Sequence, residues 1–193
     1  MKKFYLLIWE LLEVAFIAFV PIFIVYQLLA RPFIVQGTSM EPNFHMGNYL
    51  IVDIISYKIG YPERGDVVVF RHPGNRSRSA NPFMGILNTI SSRDPNDRFA
   101  YHIKRIIGLP GERVTILDGR VLINGEVLQE DYIPESVATD SFSQPDFTLS
   151  DNQYFVMGDN RVSSFDSRSW GPLEKHDIVG SVRIRVWPPI KVF

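Results

Sequence analysis

The sequence predicts a mainly β protein: an antiparallel β-sheet domain with a small β subdomain, preceded by one N-terminal transmembrane helix. Three observations predict it. Residues 4–30 carry only Glu10 and Glu13 as charges, and 14–29 are apolar apart from Gln27 and Pro21. Beyond them, short runs rich in β-branched and aromatic residues recur with turn residues between. Asn124-Gly125 stands between two such runs, the strongest short-range signal for a hairpin.

In chain order, the helix comes first. Twenty-seven helical residues span about 40 Å against a hydrocarbon layer of about 30 Å, so both glutamates fall near the headgroups. Lys2 and Lys3 precede the span, which assigns residues 1–3 to the cytoplasm, 4–30 to the anchor and 31–193 to the outside of the plasma membrane. Leu28-Leu29-Ala30 has leucine where a cleavage site requires a small residue, which favours an uncleaved anchor over a secretory signal.

Strands are expected over 49–55, 67–70, 101–107, 114–117, 121–123, 154–157 and 179–187. Asp118-Gly119 and Asn124-Gly125 make 114–128 a meander, the heart of a small inserted subdomain of about 114–152. Gly108-Leu109-Pro110-Gly111 reads as a β-turn. Residues 73–98, rich in Pro, Asn, Ser and Arg, read as a long loop, and 129–150, acidic and polar, as an irregular part of the subdomain.

Composition narrows the function. With 46% hydrophobic and 13% aromatic residues the chain can bury a core. Its 20 basic residues nearly cancel 21 acidic ones, so no charge excess points to nucleic acid. The absence of cysteine removes disulfides, thiolate metal sites and a cysteine nucleophile. His45, His72, His102 and His176 have no metal-ligand spacing, and no Gly-x-Ser-x-Gly surrounds any serine. No metal and no cofactor are implied.

What remains is a serine activated by something other than histidine. Gly37-Thr38-Ser39-Met40-Glu41-Pro42 places Ser39 on a glycine-containing segment just beyond the anchor, which suits an exposed nucleophile and equally an ordinary turn. Lys104 lies in the apolar run Tyr101-His102-Ile103-Lys104-Arg105-Ile106-Ile107. Burial there would favour the neutral amine, a base able to take the proton of a serine hydroxyl; a lysine facing water is the alternative. Strand alternation separates Lys104 from Arg105 without saying which points inward. A third segment, from Gly158-Asp159-Asn160-Arg161 through Ser164, Asp166 and Arg168, reads either as a loop closing a strand or as a polar wall. In the second reading Ser164 contacts Lys104, and Asp166 pairs with Arg168 or Arg105.

These segments, in this order, resemble the type I signal peptidases in their short, single-anchor bacterial form. Residues 37–42 resemble the serine box, 103–111 the lysine box and 158–168 the third box, and Gly65-Asp66-Val67-Val68-Val69-Phe70 is similar to the strand between the first two. The resemblance implies a membrane-bound endopeptidase that removes signal peptides from exported preproteins after small residues, through an acyl-enzyme. It implies Ser39 as nucleophile, Lys104 as general base and the backbone N–H of Ser39 as an oxyanion donor. Ser164, Asp166, Arg168, Asp159, Asn160 and Arg105 would support them. Some relatives carry a second donor, a serine, at the position held here by Gly37. Asn43 and Phe44 replace the Thr-Leu common in relatives, a change expected to affect packing more than chemistry. The implied partners are preproteins and membrane lipid. A self-cleaving Ser/Lys regulator, disfavoured because no DNA-binding domain accompanies it, and a non-catalytic tethered β module are the rival readings.

Overall fold

The computed structural model describes residues 2–72, 101–134, 136–139, 146–187 and 191–192. The expected loop at 73–98 lies outside them. Helix α1 (Lys2–Leu29) carries Pro21 within it and leads directly into β1 (Ala30–Ile34). Among the described residues no helix is long and apolar enough to cross a membrane. The expected span runs on into 22–30, whose side chains lie outside the described set.

Among the described residues, two antiparallel sheets follow. The larger has the order β1, β2 (Tyr49–Asp53), β11 (Ile178–Trp187), β3 (Val67–Arg71), β4 (Tyr101–Gly108), β9 (Gln153–Met157) and β10 (Leu173–Glu174), with β12 (Lys191–Val192) paired to β11. The smaller runs β7 (Glu126–Val127), β6 (Arg120–Ile123), β5 (Arg113–Leu117) and β8 (Asp146–Thr148). Short helices α2 (Ser56–Ile59) and α3 (Ser167–Trp170) lie in connections.

Local sequence explains most of this. Val67-Val68-Val69-Phe70 is continuously apolar because both faces of β3 are covered: Val67 and Val69 join a cluster with Met40, Phe44, Leu50 and Val52, whereas Val68 and Phe70 join Ile106, Tyr154 and Val156. Pro32 is tolerated because β1 is an edge strand. The expected meander forms, its second turn held by Asn124 and Gly125 with φ of 54° and 88°, the left-handed pair this tight turn requires. The Glu112 N–H donates to the Leu109 carbonyl at 3.1 Å, so the turn expected over 108–111 closes one residue later, over 109–112, while the Gly111 N–H bonds the Leu149 carbonyl.

The small sheet does not stand alone. Val114, Ile116, Val121 and Ile123 pack on Ile107, Phe155 and Met157 of the large sheet. Within the stretch expected to be irregular, Asp146–Thr148 forms β8 on the far edge of β5. Three residues carry too little periodicity to announce a strand; the pairing with β5 makes it one.

Candidate active site

Lys104 sits on β4, which pairs with β3 from Tyr101 to Arg105 and with β9 from Arg105 onward. Ser39 lies on the turn after β1, anchored by Met40 and Phe44, which are 1% and 0% exposed. The fold brings the two side chains together across 65 residues of sequence, and the Lys104 Nζ donates to Ser39 Oγ at 2.6 Å and to the Ile103 carbonyl at 3.0 Å.

The amine is dry, with Lys104 only 3% exposed. Burial drives its pKa from 10.5 down to about 8; Asp166 and Asp159 pull it back up, and Arg168 opposes them. A cleft of about 640 Å³ opens at the pair, lined by Val35, Gly37, Leu50, Val69, His102 and Ile103 among others. A buried lysine within hydrogen-bond reach of a hydroxyl, at the mouth of a cleft, has the geometry of a base and its nucleophile.

Both basic residues of β4 are buried, so parity had two correct answers. Alternation sends them opposite ways. Arg105 forms a two-pronged ion pair with Asp159, Nε to Oδ1 at 2.8 Å and Nη2 to Oδ2 at 2.6 Å, donates to the Gly65 carbonyl and stacks on the Tyr132 ring at 4.2 Å. Asp166 therefore pairs with Arg168, at 2.8 Å to each of its oxygens. Burial alone would raise the Asp166 pKa, but Arg168 and the Gly158 N–H overcome it and hold the carboxyl below its ordinary value.

Ser164 departs from expectation. Its buried Oγ makes no hydrogen bond to Lys104; it lies close enough to the Asp166 carboxylate to help hold that acid ionised. The hydroxyl is instead packed against Gly158, where an added Cβ would come within 2.3 Å of Ser164 Oγ and 2.4 Å of the Ser39 carbonyl oxygen. Gly158→Ala is therefore expected to force the Ser39 turn and the 158–168 loop apart, costing about 1–3 kcal/mol. The thermal midpoint would register the loss, and an unchanged midpoint would contradict so close an approach.

Asn160 touches the Ser39 turn twice: its backbone N–H donates to the Ser39 carbonyl at 3.1 Å and its Nδ2 to the Thr38 carbonyl at 3.2 Å. Two groups escaped the sequence reading. Asn43 Nδ2 donates to Asp159 Oδ2 at 2.9 Å and to the Tyr132 carbonyl at 2.7 Å, so its role is polar, while Phe44 packs as expected. Arg161, fully buried, pairs with Glu130, donates to Thr139 Oγ1 at 2.5 Å and to the Gly158 carbonyl at 3.1 Å, and so fastens the 158–168 loop to residues 130–139. Only its place in the third box marked it; Glu130 and Thr139 carried no signal at all.

Taken with its relatives, this β-built chain is a serine peptidase. The family model described as signal peptidase, peptidase S26, matches residues 8–187. The chain belongs to that family. It is 39% identical over 163 residues to a signal peptidase I of Leptolyngbya laminosa, covering 80% of this chain and 67% of that one. It is 36% identical to a probable signal peptidase I-2 of Synechocystis, covering 82% of this chain and 63% of the relative's length. A signal peptidase IB of Staphylococcus aureus is 32% identical over 187 residues, covering 89% of this chain and 85% of the relative. A crystal structure of a signal peptidase I from Enterococcus faecalis aligns with a TM-score of 0.43 at 30% identity, covering 62% of this chain and 95% of that one.

Proposed function

We propose that this protein removes signal peptides from exported preproteins through a Ser39–Lys104 dyad, working on the outer side of the plasma membrane to which residues 4–30 tether it. The 2.6 Å contact between a buried amine and the Ser39 hydroxyl carries the reading. Family membership supports the substrate class. The tether is supported by α1, whose described side chains from 8 to 19 are all exposed and, Glu10 and Glu13 apart, apolar. Such a surface in water would be unstable.

In the proposed cycle, neutral Lys104 takes the Ser39 proton and Oγ attacks the carbonyl carbon before the scissile bond. The oxyanion forms facing the Ser39 N–H. Collapse breaks the C–N bond while the Lys104 ammonium gives its proton to the leaving amine, and water, deprotonated by Lys104, then hydrolyses the ester. Asp159, Asp166, Arg168 and Arg105 hold the surrounding wall, and Ser164 packs against Gly158 within it. The substrate lies extended between residues 32–37 and the 101–104 stretch of β4, which both line the cleft, and the apolar lining favours uncharged side chains.

The test is a labelled preprotein added to detergent-solubilised protein. Cleavage in trans is expected; self-cleavage alone would favour a regulator, and no cleavage a binding module. Because the neutral amine is the active form, kcat/KM should climb about tenfold per pH unit below a pKa of about 8 and level off above it. A flat profile would exclude the lysine base.

A further inference from the structure

The two bonds from Asn160 fall on both sides of the nucleophile: the backbone N–H on the Ser39 carbonyl and the side-chain amide on the Thr38 carbonyl. The Thr38 oxygen also accepts the Glu41 N–H at 3.1 Å, so it is held from two directions. The peptide between Thr38 and Ser39 is planar and trans, and its N–H points opposite to its C=O. Pinning the Thr38 oxygen toward the 158–168 loop therefore turns the Ser39 N–H away from that loop, and Gly37 and Ser39, on either side of Thr38, both line the cleft.

The amide of Asn160 is itself oriented. Its Oδ1 accepts the Ser163 N–H at 3.2 Å, which leaves Nδ2 for Thr38. Gly37 offers no side-chain donor beside Ser39, so stabilisation of an oxyanion there depends heavily on where this one backbone N–H points. We propose that Asn160 is a positioning residue that aims the Ser39 N–H at the oxyanion of the tetrahedral intermediate; the proposal rests on acylation at Ser39 as described above.

Asn160→Asp keeps the side chain's size and its acceptor for Ser163 but replaces the donor to Thr38 by an oxygen that repels the carbonyl. Removing an oxyanion donor outright costs about 100- to 1000-fold, and a misaimed donor is expected to lower kcat by about ten- to a hundredfold with KM unchanged. Asn160→Ala serves as the uncharged second variant, and its alkaline limb should stay near pH 8, since the dyad is untouched.

A peptide aldehyde of the cleavage-site sequence supplies the reading that separates aiming from mere structure. Lys104 takes the Ser39 hydroxyl proton as Oγ adds to the aldehyde carbonyl carbon, the π pair moves to the former carbonyl oxygen, and that oxygen faces the Ser39 N–H. Its affinity should fall by the same factor as kcat, while the matching peptide alcohol, which forms no adduct, binds as before. Unchanged kcat and aldehyde affinity in both variants would overturn the proposal, as would equal losses for aldehyde and alcohol. Ser39→Ala is the control for the underlying reading: if it binds the aldehyde as tightly as the parent, acylation at Ser39 fails and this inference falls with it.

Discussion

Lys104→Met is expected to reduce preprotein cleavage by about a thousandfold or more and, at the same time, to make the protein more stable at pH 7. The first effect removes the proposed base, whose Nζ lies 2.6 Å from Ser39 Oγ. Ser39→Ala should be equally damaging. The double variant should be little worse than either, because a nucleophile and its base act as a unit.

The second effect follows from linkage. Burial holds the amine at about 8 in the folded protein against an ordinary 10.5. Between those values the unfolded chain binds more protons than the folded one, so stability rises with pH across that window and the penalty stands in full below pH 8. It amounts to roughly 3 kcal/mol. Methionine fills a similar volume without the charge but forfeits the bonds to Ser39 and Ile103, each worth about 1 kcal/mol. A net gain of about 1–3 kcal/mol at pH 7, shrinking as pH approaches 10.5, is the expected balance. Thermal midpoints at the two pH values measure it, and a variant no more stable than its parent at pH 7 would mean that the amine is well solvated.

Asp159→Ala is the second large effect. The Arg105–Asp159 pair has side chains 9% and 0% exposed. Truncating the acid leaves the guanidinium buried with the Gly65 carbonyl and the Tyr132 ring, and Asn43 with the Tyr132 carbonyl alone. Stranding a buried charge costs about 3–5 kcal/mol. Asp159 also stabilises the Lys104 ammonium through space. In whatever fraction stays folded, its loss lowers the lysine pKa, and the alkaline limb of kcat/KM should move to lower pH. Arg105→Leu combined with Asp159→Leu should recover most of the stability, since neither charge is then stranded. A double variant as unstable as the single one would show that the pair's geometry, and not the stranded charge, sets the cost.

Much of this architecture was legible along the chain. The valine run of β3, the Asn-Gly hairpin and the helix ahead of Ala30 all follow from residues a few positions apart, because propensity and turn chemistry are local. The boxes around Ser39 and Lys104 were visible for the same reason: each is a short contiguous segment. β8 was not, since Asp146-Phe147-Thr148 becomes a strand only by pairing with β5 more than thirty residues earlier.

The site shows the same division. Residue types and their order identified a serine, a lysine and a polar third segment, and with them the candidate chemistry. Tertiary structure decided the partners: Arg105 with Asp159, Asp166 with Arg168, Asn43 on the buried acid, and Ser164 against Gly158 with no bond to the amine. Those choices depend on which groups lose water together when distant segments close on one another, and desolvation is a property of the packed assembly that no stretch of sequence carries alone.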